Sequence, residues 1–353
     1  AGPRVPRDYR DRLTPAQRAK FDHLCELAIE GSISHRVRSS YTNIALMNAV
    51  NLVLLGEAYG RADVLEAGVK RLDEFILNTA ICGVCEYCSP TYTAVDLNCL
   101  HRLRQFARDK GVIDRAERLL RLFWSDVAAS SFTPSGRLAG AHSRDYDYLF
   151  GLGGMATYLR VAGLAAPLPG TRETPPLPFE LSEWRPDAAI RELAARTPRT
   201  VVSMWGEEPE KVRVLWTGKN VSLGTAGANY WNMDIPLSVD FASTNRIPRA
   251  YFIADGRRDP YGRKKIPEGN GPHQKTLHLR PFWAGAQRGR DALGLVAYRP
   301  GDIPPETPTL ESHIVFPCDV DEVFVNDERV PVTGDAPPFA RELAQDAAVF
   351  VCR

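Results

Sequence analysis

The chain has 353 residues, 44% hydrophobic and 25% charged, with 44 basic residues against 43 acidic and a net charge of +1. This length exceeds the usual size of one core, so two domains are expected. The charge balance gives no support to a nucleic-acid polymer as partner, and no apolar run reaches the roughly 18–20 residues of a spanning helix, so no membrane partner is expected.

The chain opens on Ala1-Gly2-Pro3-Arg4, with neither Met nor the apolar core of a signal peptide. A processed or trimmed terminus is expected. A removed secretory signal fits, and with it a secreted or periplasmic location. Residues 1–14 are polar and basic and read as an extended lead-in. Thr14-Pro15-Ala16-Gln17 then has the form of a helix start, with Pro first and Gln third. A helix over 42–58 is apolar on most faces, and 61–79 gives it an amphipathic partner. Further helical patterns occupy 93–108, 112–129 and 149–163, so the first half reads as antiparallel helical hairpins. Five prolines between Pro167 and Pro178 mark a linker, with a short helix at 186–195 beyond it.

From Thr200 the period changes to two. Strands are expected at 201–205, 212–216, 221–223, 237–241, 276–279, 293–298, 313–316, 322–325 and 348–351, with a hairpin turn at Asn326-Asp327. So many short strands between turns predict an antiparallel sandwich. The expected domains are 1–165 (helical), 166–198 (linker) and 199–353 (β-sandwich).

Two segments crowd ionisable and phenolic groups at helix openings: Glu86-Tyr87-Cys88-Ser89-Pro90-Thr91-Tyr92 and His142-Ser143-Arg144-Asp145-Tyr146-Asp147-Tyr148. Core packing does not require that; a pocket that moves protons does. Ser89-Pro90 is partly explained as a helix entry. A third segment, Arg38 to Ile44, places Tyr41 and Asn43 at the opening of the apolar helix. If the second segment is extended, His142, Arg144 and Tyr146 share one face. The competing reading is a solvated loop, with Arg144 paired to Asp145 or Asp147. His101 lies within a helical pattern and is expected to be packed or exposed rather than catalytic. In the strand half, Trp231 sits in Asn229-Tyr230-Trp231-Asn232, suited to sugar stacking or to core. His273 precedes a strand, where it either reaches the cleft or is solvated.

Seven cysteines include the run Cys82, Cys85, Cys88. A fourth ligand at familiar spacing is missing, so buried thiols or a local disulfide are expected rather than a metal, and no cofactor is called for. Cys318 and Cys352 are a second candidate pair.

Helical hairpins, a Pro-rich linker and an antiparallel β domain, in that order, resemble the polysaccharide lyases of the α/α-toroid plus β-sandwich type, such as the heparinase II/III, alginate lyase and chondroitin AC lyase groups. The likeness spans nearly the whole chain as architecture and rests on the three quoted segments as motif. The six or seven helices counted fall short of the ten to fourteen of a full toroid, so a partial toroid is expected. The resemblance implies β-elimination on a uronic-acid polysaccharide or oligosaccharide. Such a site must neutralise the uronate carboxylate, take the C5 proton and protonate the leaving O4. The expected catalytic residues are His142, Tyr146, Arg144 and Tyr92; the expected substrate-binding residues are Glu86, Asn43, Tyr41, His273 and Trp231, with Glu86 binding hydroxyls or orienting a His or Arg. Two other readings stay open. One is a glycoside hydrolase drawing a carboxylate pair from Glu86, Asp96, Asp145 and Asp147; the other is a non-catalytic glycan-binding protein.

Overall fold

The computed structural model describes residues 10–146, 153–167, 173–231, 233–243, 247–256, 279–318, 320–325 and 327–330. It is an α+β protein, and among the described residues eight α-helices precede an antiparallel sheet. Helix α1 (Pro15–Ser34) starts as the sequence dictates: the Thr14 side chain accepts from Gln17 N, and the Gln17 side chain accepts from Thr14 N. The other long helices are α2 (Thr42–Tyr59), α3 (Ala62–Cys82), α4 (Tyr92–Phe106) and α5 (Lys110–Ser130). Short connections make α2 and α3 neighbours, and likewise α4 and α5. Helix α2 buries Leu46, Ala49, Val50 and Leu52 to Leu55 because it is enclosed on most sides. Among the described residues no helix is long and apolar enough to cross a membrane.

Helix α6 (Met155–Val161) is shorter than the 149–163 pattern, whose first four residues lie outside the described ones. A helix not foreseen, α7 (Leu177–Ser182), stands inside the expected linker. Its prolines sit before and within the first turn, where the missing N–H costs nothing. Helix α8 (Ala188–Ala195) follows. Helices α2 to α8 enclose one large core containing Phe75, Leu97, Phe123, Trp124, Tyr158 and Phe179.

A small hairpin, β1 (Ser131–Phe132) and β2 (Arg137–Leu138), carries the chain out of α5. Strands β3 (Arg199–Met204), β4 (Val212–Thr217), β5 (Val221–Ala226), β6 (Leu237–Phe241), β7 (Arg249–Asp255) and β10 (Glu311–Val315) form a six-stranded sheet in the order β10-β7-β6-β5-β4-β3. The hairpin of β8 (Phe282–Arg288) and β9 (Asp291–Ala297) lies on one face of it, with Trp283 Nε1 donating to Ala226 O at 2.7 Å. Strands β11 (Val323–Val325) and β12 (Glu328–Val330) make the expected hairpin. Strands β7 and β8 were not foreseen. Every residue of β7 is buried, so it has no alternation to read; β8 is rich in small residues of low strand propensity. The expected strands at 276–279 and 348–351 lie largely or wholly outside the described residues.

The other face of the sheet meets the helical half through residues 131–146. Alternate residues of β4 carry this contact: Arg213 bonds Asp126 (2.6 Å) and Ser130 (2.8 Å), and Leu215 packs with Phe132 and Ala139. The closest crossing is at Gly140, at φ 82°, over Gly224 of β5. A Cβ on Gly224 would lie 2.3 Å from Gly140 Cα, so the approach needs glycine at that position. Beyond it, His142 and Ile235 exchange two backbone hydrogen bonds of 2.9 Å, as an isolated antiparallel bridge.

A candidate site of phenols around Arg144

The openings of α2 and α4 converge on Arg144. Its Nη1 is 2.5 Å from Glu86 Oε1, and its Nη2 donates to Tyr92 Oη at 3.0 Å and to Tyr146 Oη at 2.8 Å. The guanidinium carbon lies 4.2 Å from the centroid of the Tyr92 ring, 5.0 Å from Tyr41 and 5.5 Å from Tyr146. Three phenol rings thus surround one cation. The Tyr92 and Tyr146 rings meet edge to face at 5.3 Å, and their hydroxyls are hydrogen-bonded. Burial, then that hydrogen bond, raises the Tyr92 phenol above its ordinary range.

Glu86 lies beneath this cluster. Its side chain is wholly buried, and Oε2 accepts from Thr42 Oγ1 at 2.6 Å and Asn43 N at 3.3 Å. Of the two roles foreseen for Glu86, the geometry fits orienting an arginine, since no surface remains for sugar hydroxyls. Its contact with Arg144 also engages the guanidinium that was expected to clamp a carboxylate. Asn43 is buried, with its backbone rather than its side chain in the network. Tyr41, at the same opening, is the exposed member.

Two further features fix the geometry. Arg144 adopts φ 44° and Cys88 φ 48°, both unusual without glycine. Asp234 accepts from Arg144 N through Oδ1 at 3.0 Å, and through Oδ2 from Trp231 N at 2.9 Å and from Tyr230 N. Asp234 therefore ties the arginine segment to the 229–235 loop. Burial raises its carboxyl to about 7 against the opposing pull of those three N–H groups. Tyr230 adds to the wall, donating to Ser40 O at 3.1 Å. Sequence reading quoted Tyr230 only within its cluster and missed Asp234. An Asp shortly after an aromatic loop was the available signal, as a side chain that bonds nearby backbone.

His142 does not join the cluster. The ring is fully buried and Nδ1 donates to Cys88 O at 2.7 Å. Burial, followed by the charge of Arg249, pushes it down to about 3, so it stays neutral. The expectation that His142, Arg144 and Tyr146 share a face required an extended chain. The left-handed Arg144 breaks the alternation, which corrects the placement of His142. Asp145 also turns inward and pairs with Arg249 at 3.6 Å, both fully buried. His101 is packed as expected: Nδ1 bonds Ser182 Oγ at 2.7 Å, and the ring is enclosed by Trp124, Tyr158, Phe179 and Trp184. Ser89 Oγ accepts from Tyr92 N at 3.1 Å, holding the first turn of α4 although Thr91 is the capping residue.

His273, Asp147 and Cys352 lie outside the described residues. Trp231 is 49% exposed beside Asp234. The thiols of Cys82, Cys85 and Cys88 are free and buried, and the Cys88 thiol turns to Ala139 O. Among the described residues, the group with ligand atoms close enough to hold a metal is Asp255, Glu311 and His313, on β7 and the edge strand β10. There His313 Nε2 already lies 3.1 Å from Glu311 and 3.9 Å from Asp255.

Residues 27–195 match a family described as a domain of unknown function, DUF8769. That segment holds Tyr41, Glu86, Tyr92, Arg144 and Tyr146, and ends before Tyr230, Trp231 and Asp234. No curated protein and no solved structure matches the chain.

Proposed function

We propose that the protein is a carbohydrate-active lyase that cleaves a uronic-acid polysaccharide by β-elimination, with Tyr146 and Tyr92 as its proton-transfer pair. The observation that carries this reading is the division of labour around Arg144. The groups that reach the surface are phenols, whereas Glu86, Asp96 and Asp145 are buried beneath them. A carboxylate-pair hydrolase needs two accessible acids about a sugar ring; none of these three is accessible. Asp96 is raised well above the usual range, by burial and then by the nearby Glu86, as a neutral buried acid would be.

In the proposed reaction Tyr146 enters as a phenolate stabilised by Arg144 Nη2; the C5–H bond breaks and its proton passes to that oxygen, at which the Tyr92 hydroxyl is also aimed. The C4–O4 bond breaks, a C4=C5 double bond forms, and O4 takes a proton from the phenol pair. Arg144 positions both phenols, and Glu86 positions Arg144. The helical hairpins followed by a sheet fit a partial α/α toroid with a β-sandwich, its cleft at the helix openings where Thr42, Tyr92 and Arg144 meet.

The test is incubation with polyuronates while following ultraviolet absorbance of the unsaturated product and reducing ends in parallel. Elimination gives both signals. Tyr146→Phe is expected to lower turnover by about 10²–10⁴-fold with an unchanged melting temperature. Reducing ends without absorbance would replace this reading by hydrolysis, and binding without either signal by a glycan-binding role.

A further inference from the structure

The β-elimination reading leaves one requirement unmet by the phenol cluster. An anionic polymer needs a cation, and Arg144 is already held by Glu86. Beside the cluster stands another arginine. The guanidinium carbon of Arg280 lies 5.6 Å from the centroid of the Trp231 ring, and both residues are exposed. Among the described residues no carboxylate lies within ion-pair distance of Arg280. Asp302, one of the carboxylates whose field it feels, is bonded to Arg299 at 2.7 Å.

Two contacts fix this pair next to the phenols. Asp234 takes Trp231 N through one oxygen and Arg144 N through the other. Asn229 Nδ2 donates to Pro281 O at 3.2 Å, pinning the residue after Arg280 to the same loop. The strip continues outward: Phe282, also exposed, carries Arg299 at 5.3 Å. An exposed indole beside a guanidinium that meets no carboxylate among the described residues offers a stacking surface for a sugar ring and a two-pronged donor for its carboxylate.

We propose that Trp231 and Arg280 form a subsite for a second uronate, next to the ring cleaved at Tyr146. The inference rests on the elimination reading and sharpens its substrate class. The polymer carries carboxylates on neighbouring sugars, rather than an isolated uronate among neutral ones.

Calorimetric binding on the full chain tests this, with Tyr146→Phe present so that ligands stay intact. The probes are oligosaccharides of glucuronate, mannuronate, guluronate and galacturonate, each beside its carboxyl-reduced counterpart. At least one polyuronate is expected to bind. Arg280→Gln is expected to weaken it about tenfold or more, the loss of one charge-assisted pair, to reduce the salt dependence, and to leave the reduced counterpart unaffected. Trp231→Ala is expected to weaken both. No binding by any polyuronate would overturn the subsite, as would an Arg280→Gln effect within twofold or equal on the reduced sugars. The absorbance assay with Tyr146 intact separates the two ideas. Arg280-dependent binding without elimination keeps the subsite and sinks the lyase; elimination with a KM unmoved by Arg280→Gln does the reverse.

Discussion

His142 and Arg144 stand two residues apart and occupy opposite environments. His142 faces the sheet in a fully buried layer, held neutral beside Arg249 and bonded to a backbone carbonyl. Arg144 faces three phenols, one of them exposed, and keeps its charge against Glu86. The inward residues Asp145 and Arg249 make an ion pair that serves the junction of the two halves; the outward ones make a device that orients hydroxyls. Chemical richness in a short segment therefore has two sources here, and one backbone twist at Arg144 separates them.

The largest expected effect comes from unpairing each layer in turn. Asp145→Ala takes one buried carboxylate from Arg249, which keeps its bond to Ser238, and is expected to cost about 3 kcal/mol of stability, while the folded fraction keeps its turnover. Glu86→Ala is expected to cost less stability, because Arg144 is partly accessible, and to lose most activity because both phenols lose their anchor. Denaturant titration combined with the absorbance assay reads both axes. Equal loss of activity per folded molecule in the two variants would erase the distinction between the layers.

A smaller effect is expected from pH. His142 and His101 are both pushed down to about 3 by burial, from the ordinary value of 6.5. Between those values the unfolded chain binds protons that the folded chain refuses, so their contribution falls as pH drops below about 6.5. Asp234, raised to about 7, acts in the opposite sense: the folded chain keeps its proton where the unfolded chain has lost it, so its contribution is greatest in acid. His142→Asn isolates one histidine. The stability gap between wild type and variant is expected to shrink by about 2 kcal/mol from pH 7 to pH 5. A gap independent of pH would mean that the His142 ring is exposed, and one that widens in acid that it is charged.

The smallest effect concerns the seating of Tyr92. Ser89→Ala removes the acceptor of Tyr92 N and is expected to cost about 1 kcal/mol, with a modest fall in turnover. A thermal shift beside kinetics measures it; unchanged turnover would show that the first turn of α4 holds Tyr92 without Ser89.

Helices were legible where the signal was local. The Thr14 to Gln17 box and the apolar run of α2 needed no knowledge of the rest of the chain. Strand β7 was not, since burial on both faces removes the alternation that marks a strand. At the site, Glu86, Tyr92, Arg144 and Tyr146 could be named from composition at helix openings. Their roles could not, because these depend on which way Arg144 turns, and its backbone is held by Asp234, ninety positions later. Thr42 and Asn43 show the same limit: their contacts to Glu86 span more than forty residues.

The bond between Arg144 N and Asp234 has a consequence for how the protein is made. The helical half leaves the ribosome first and can begin to pack. Its phenols wait, because the carboxylate that sets the Arg144 backbone is still being synthesised. The geometry of the Arg144 cluster thus forms late and at once, when the loop around Asp234 closes on a scaffold already standing.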